Sequence, residues 1–195
     1  MKKDLMRIAA AISVFFVPGL AAAHTGSHEV SGLLSGISHP LMGLDHLIVI
    51  LAVGLWLGAS VRKQAPLMVT VFLAFLGLGA VVGVSGFVLP SVETGIAVSV
   101  LVAGLLVATL ARLPAVATMA LLALFALFNG AAHGIEMPVA TMPLLYGLGL
   151  LLSTAVLQLA AVRLGQMVHG VRAEWLLRTT GVLGGGFGAW LLLGV

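Results

Sequence analysis

The sequence predicts an all-α membrane protein of six transmembrane helices behind a cleaved N-terminal signal peptide, and three observations carry that prediction. Of the 195 residues, 61% are hydrophobic and 8% charged, against roughly 25% charged in a soluble domain, so the chain has too little polar surface to face water. Apolar runs of about 20 residues, the length that crosses a bilayer, recur six times between short connections containing charge, proline or glycine. Beyond the signal, Lys and Arg fall only in alternate connections, the pattern produced when cytoplasmic loops are enriched in basic residues.

The elements follow in order. Lys2, Lys3 and Arg7 precede an apolar stretch over residues 8–20, and Ala21-Ala22-Ala23 supplies a small-residue cleavage site, the three parts of a secretory signal. Cleavage after Ala23 leaves His24 as the mature N-terminus, outside the cytoplasm, and a single domain over 24–195. Residues 24–29, His-Thr-Gly-Ser-His-Glu, read as a solvated outer tail, with metal capture by His24 and His28 as the alternative. The spans are predicted at 40–60, 66–90, 92–110, 114–133, 142–162 and 174–195. Gly79 with Gly83, Gly181 with Gly185 and Gly184 with Gly188 are spaced to let helix backbones approach closely in lipid. Arg62 and Lys63, then Arg112, then Arg163, Arg172 and Arg178 all fall on one side. This places both mature termini outside the cytoplasm, in the inner membrane of a bacterium.

Several functions are excluded by what is missing. The chain has no cysteine, hence no disulfide framework and no thiolate metal site. Its lysines at positions 2, 3 and 63 are not set in the Gly-Lys-Ser/Thr context that a P-loop needs, so no ATP-hydrolysing engine is encoded. The sequence pI near 10 reflects few charges rather than a basic patch, and no nucleic-acid partner is expected.

On this topology the polar residues gather at one membrane face: His39, Asp45 and His46 in span one, Glu93 at the start of span three, and His133 with Glu136 at the end of span four. An ionisable group at the bilayer centre costs about 2.5–3.5 kcal/mol on insertion scales, so such groups usually face a cavity and serve function. Neutral imidazole and carboxylate suit a divalent first-row metal. His39 and His46, seven residues apart, would stand about 10.5 Å apart along a regular helix, too far for one ion at ligand distances of about 2.1 Å. Either the helix breaks, for which Pro40 and Gly43 are placed, or there are two stations. Met42 offers a thioether, though packing is its ordinary use. Gln158, Ser153 and Ser99 read as interhelical hydrogen-bonding groups that could also line a path, and His169 as an exposed loop residue.

Two motifs carry a family resemblance. His39-Pro-Leu-Met-Gly-Leu-Asp45-His46-Leu, followed by Leu51-Ala-Val-Gly-Leu-Trp56, resembles the first signature of the HupE/UreJ family of nickel and cobalt permeases. Phe128-Asn129-Gly130-Ala131-Ala132-His133-Gly134-Ile135-Glu136 resembles the second, Phe-His-Gly-x-Ala-x-Gly-x-Glu, with one departure. Asn129 stands where the family usually has His, and an amide oxygen is a poorer nickel ligand, leaving His133 to carry that role. The resemblance implies a six-span permease without an ATPase or prosthetic group. It would take up Ni2+ or Co2+ to supply hydrogenase or urease, with a metallochaperone or maturation proteins as partners. The residues alone imply only a divalent cation taken from outside. A catalytic zinc in an intramembrane hydrolase uses similar ligands, but neither a His-Glu-x-x-His motif nor a Gly-x-Ser-x-Gly elbow occurs.

Overall fold

The computed structural model describes residues 28–87 and 89–194; the predicted signal and His24 lie outside them. Among the described residues seven helices follow one another: α1 (His28–Met42), α2 (Leu44–Ser60), α3 (Ala65–Val84), α4 (Val92–Thr109), α5 (Ala115–Ile135), α6 (Pro143–Met167) and α7 (Val171–Gly194). There is no strand among the described residues. Helices α3 to α7 are each long and apolar enough to cross a membrane, and the pair α1–α2, bent by 80°, raises the number to six if it is counted as one broken span rather than a re-entrant loop. The protein is therefore a multi-pass membrane protein, and Leu124, Leu152, Val182 and Leu193 point outward from it, as lipid-facing side chains do.

The first span departs from its expected form. It begins at Leu44 rather than at residue 40, and the segment read as an outer tail is helical from His28 onward. The break falls at Gly43, whose backbone is extended (φ −92°, ψ 113°), while Pro40 lies inside α1 and has no N–H for the carbonyl of Gly36. α1 is held by close packing on α6. Gly36 lies against the backbone of Tyr146 and Leu150, and Gly149 against that of Leu33 and Ile37, so neither glycine has room for a Cβ.

Other boundaries move for local reasons. α3 stops at Val84, short of the expected residue 90, because Gly86 turns the chain with φ 81°, a conformation costly for residues with a Cβ. α5 runs on to Ile135, so His133 sits within its last turn. α6 extends to Met167 and takes Arg163 out of the loop into the helix.

Packing divides the bundle into three sets. α3 lies along α5 with Gly79 and Gly83 against Leu127, Gly130 and Ala131. α4 lies along α7 with Gly104 against Gly181 and Gly185. α6 carries both α1 and α2, the latter through Gly54, Gly58 and Gly165. Trp56, Phe72, Leu76, Ile96, Leu122 and Leu150 fill the interior. Trp56 is fully buried and its indole N–H donates to Ala111 O at 2.8 Å, whereas Trp175 and Trp190 are exposed, where membrane-interface aromatics belong.

Candidate metal centre

The break at Gly43 decides the geometry of the site. A straight helix would separate His39 from His46, but the bend brings both rings onto one residue of α5. The His133 centroid lies 4.9 Å from that of His39 and 4.2 Å from that of His46. Of the two sequence alternatives, the broken helix is the one adopted.

His133 is 0% exposed, and neither of its ring nitrogens has a hydrogen-bond partner in the protein. Leaving a buried polar group unsatisfied costs about 1–3 kcal/mol, so a ring placed this way among two other imidazoles is built for something other than packing. Tyr146 fixes the surrounding backbone, its hydroxyl donating to His133 O at 3.0 Å while its ring meets that of His39 edge-on at 5.6 Å.

Glu136 closes the group at the C-terminus of α5. His39 Nε2 donates to Glu136 Oε2 at 3.0 Å, and this hydrogen bond holds the Glu136 carboxyl below its ordinary range, against the opposing effect of partial burial. One ligand atom each from His39, His133 and Glu136 lie within 4.8 Å of one another. A divalent ion bound here would take the lone pair of His39 Nε2, so the proton that this nitrogen donates to Glu136 would first have to leave it.

The sequence profile described as HupE / UreJ protein matches residues 12–191. The chain belongs to the HupE/UreJ family. It is similar to Protein HupE of Rhizobium leguminosarum bv. viciae, with 34% identity over 188 residues, covering 96% of this chain and 98% of that protein. No solved structure matches significantly.

At the HupE/UreJ position usually held by His, Asn129 does a definable job. Its Nδ2 donates to Phe125 O at 2.8 Å and to Ser99 Oγ at 3.2 Å, and Ser99 Oγ donates in turn to Ile96 O at 2.7 Å. A carbonyl can only accept, so the amide nitrogen must face Phe125 and the amide oxygen must face His46. Asn129 Oδ1 lies 2.8 Å from His46 Nδ1, so that nitrogen carries the proton and Nε2 keeps the lone pair. Fixing the tautomer of a ligand histidine from behind is the usual work of an outer-shell partner.

The remaining predicted residues are placed unequally. Asp45 Oδ1 accepts from the backbone N–H of His46 at 2.9 Å, so it holds the start of α2 beside the cluster. Glu93 is exposed and shares with Glu136 a cleft of about 440 Å³; it is not within the His39–His133–Glu136 group. Met42 is 70% exposed and is not brought to the site. His28 opens α1. His169 is exposed at the opposite end, with Nδ1 donating to Met167 O at 2.9 Å. Arg178 donates to Ala108 O at 2.9 Å. Sequence reasoning missed Tyr146 as a site residue.

Gly43 yields a first expected result. A Cβ there would stand 2.8 Å from His46 Cδ2 and 2.9 Å from Asp45 Oδ1, close enough that both side chains must move. Because the clash is with side-chain ends rather than backbone, Gly43→Ala should insert and fold normally, yet lower nickel affinity by about 10-fold or more, the scale on which disturbed support of a metal ligand is felt. Titration of the purified variant in detergent measures this, and unchanged affinity would contradict the geometry.

Proposed function

We propose that this protein is a secondary permease, without an ATPase, that takes up Ni2+ and also Co2+ through the His39–His46–His133–Glu136 cluster at its outer face. The observation that carries the reading is His133, a fully buried imidazole with two unpartnered nitrogens beside two further histidines and a carboxylate. Nitrogen-rich, oxygen-supplemented ligand sets suit nickel and cobalt, and since intrinsic affinity favours copper, selectivity must reside in geometry. Asp45, Glu93 and Glu136 lower the cost of bringing a dication to this end, with Glu93 and Glu136 at the mouth. The membrane potential supplies about 2.3 kcal/mol per charge per 100 mV, twice that for a dication, so an inward-negative cell needs no other engine to accumulate the ion.

The same reading places the protein in a bacterial inner membrane with its signal removed, both mature ends outside, and cytoplasmic metallochaperones or hydrogenase and urease maturation proteins as recipients. Its test is uptake of radiolabelled nickel by proteoliposomes under an inside-negative potential, competed by cobalt, zinc and manganese. Saturable accumulation, suppressed best by cobalt, is the expected result; wild-type protein that accumulates no nickel overturns it. A second reading draws on one observation, that His39, His133 and Glu136 form a two-histidine, one-carboxylate set of the kind catalytic zinc uses. An intramembrane hydrolase would turn over a lipid or peptide in the same vesicles without moving metal.

A further inference from the structure

Below the histidine cluster, a second set of buried polar groups has no partner in the protein. Gln158 is 0% exposed, and neither its amide oxygen nor its amide nitrogen makes a hydrogen bond; Thr154, also 0% exposed, leaves its hydroxyl unpartnered. The two are four residues apart and so lie on one side of α6. Interhelical hydrogen bonding, the ordinary reason for a glutamine in a transmembrane helix, is therefore not what Gln158 does. An apolar residue of similar size would fill the same space without an unsatisfied amide, so the amide marks a place where something polar passes.

The position is informative. Tyr146, level with His133 through its hydrogen bond, stands twelve residues above Gln158 on α6, or about 18 Å at the rise of an α-helix. Two more buried and unpartnered hydroxyls continue downward: Thr118, fifteen residues below His133 on α5, and Ser60, fourteen residues below His46 on α2, each about 21–23 Å down. Ser60 in turn borders a cavity of about 580 Å³ lined also by Arg62, Lys63, Arg112 and His169. The unpartnered groups thus run from the outer cluster to the inner mouth.

We propose that Gln158, with Thr154, forms a station in the membrane interior that holds the divalent cation on its way from His133 to the inner mouth. The inference rests on the transport reading above. The chemistry of the station differs from that of the cluster: an amide oxygen and a hydroxyl are neutral oxygen donors, poorer for nickel than imidazole, so the ion keeps part of its water shell there and is held weakly. A weak second site below a strong first one is what passage requires, since an ion must bind well enough to enter and loosely enough to leave.

The test uses the full-length protein in proteoliposomes with radiolabelled nickel, alongside equilibrium nickel binding by the detergent-solubilised protein. Gln158→Leu and Gln158→Met are expected to keep wild-type nickel binding and at least wild-type thermal stability while uptake falls at least about 10-fold; Gln158→Glu, which restores an oxygen donor, should recover a measurable part of the flux. Uptake within twofold of wild type in both apolar variants overturns the station and leaves the transport reading standing. Loss of uptake together with loss of binding or stability also overturns it, assigning Gln158 to the architecture of the bundle. Wild-type protein that binds nickel but moves none overturns the transport reading itself, and the station with it.

Discussion

Replacing His133 with leucine is expected to abolish nickel uptake while making the protein harder to unfold. The two outcomes have one cause. The imidazole is fully buried and both of its nitrogens are unpartnered, which costs about 1–3 kcal/mol for an unsatisfied group. Leucine fills a similar volume with no polar atom, and relief of that cost should raise the unfolding midpoint by about 2–4 °C per kcal/mol in a chain of this length. Uptake should fall by about 100-fold or more, since even loss of an outer-shell partner costs about 10–100-fold and His133 is the ring on which His39 and His46 converge. Thermal unfolding in detergent and uptake in proteoliposomes measure the two effects. A variant that is destabilised and still transports would make His133 a packing residue.

The second large effect concerns Asn129. Asn129→Leu removes the acceptor at His46 Nδ1 and frees the imidazole to change tautomer, so that Nε2 is protonated in part of the population and the ring is no longer held at its angle. Nickel affinity should drop by about 10–100-fold with membrane insertion intact. Nitrogen NMR of the labelled imidazoles supplies a readout that a purely structural role would not move: in the wild type the buried His46, like the exposed His169, should show a protonated Nδ1 and a bare Nε2, and the variant should lose that fixed assignment at His46 alone. Wild-type affinity in Asn129→Leu would separate the amide from metal binding altogether.

The spans were legible in the sequence because lipid as solvent demands long apolar runs, and these stand out against short connections bearing Arg62, Lys63 or Arg112. α1 was not legible. Its residues include serines, His39 and Pro40, and its helicity depends on glycine contacts with α6 that no local pattern announces. Within the candidate site, the two motifs named His39, Asp45, His46, His133 and Glu136, and Gly43 with Pro40 allowed for a break. The role of Asn129 was hidden for a different reason: its partner His46 lies 83 residues away, and the direction of its amide is decided by Phe125 O, a backbone atom. Gln158 carried the opposite signal, since a glutamine in a span ordinarily finds a partner.

The glycine contacts between helices have a mechanical consequence. Where Gly79, Gly83, Gly130 and Gly134 lay α3 on α5, and Gly36, Gly54, Gly58, Gly149 and Gly165 lay α1 and α2 on α6, backbone rests on backbone, and such surfaces cannot slide without colliding. Each set is therefore fitted together as one closely packed block. His39 and His46 ride on the first-span block, His133 and Glu136 on the other. The hydrogen bonds of His39 with Glu136, His46 with Asn129 and Tyr146 with His133 all cross the seam between them, at one end of it. Where Gly77 faces Leu151 along the same seam, the meeting is only with side-chain methyls. In the proposed transport, an ion gripped by ligands from both blocks would act as a clasp on this end of the seam, and its departure inward would unfasten the two blocks that hold it.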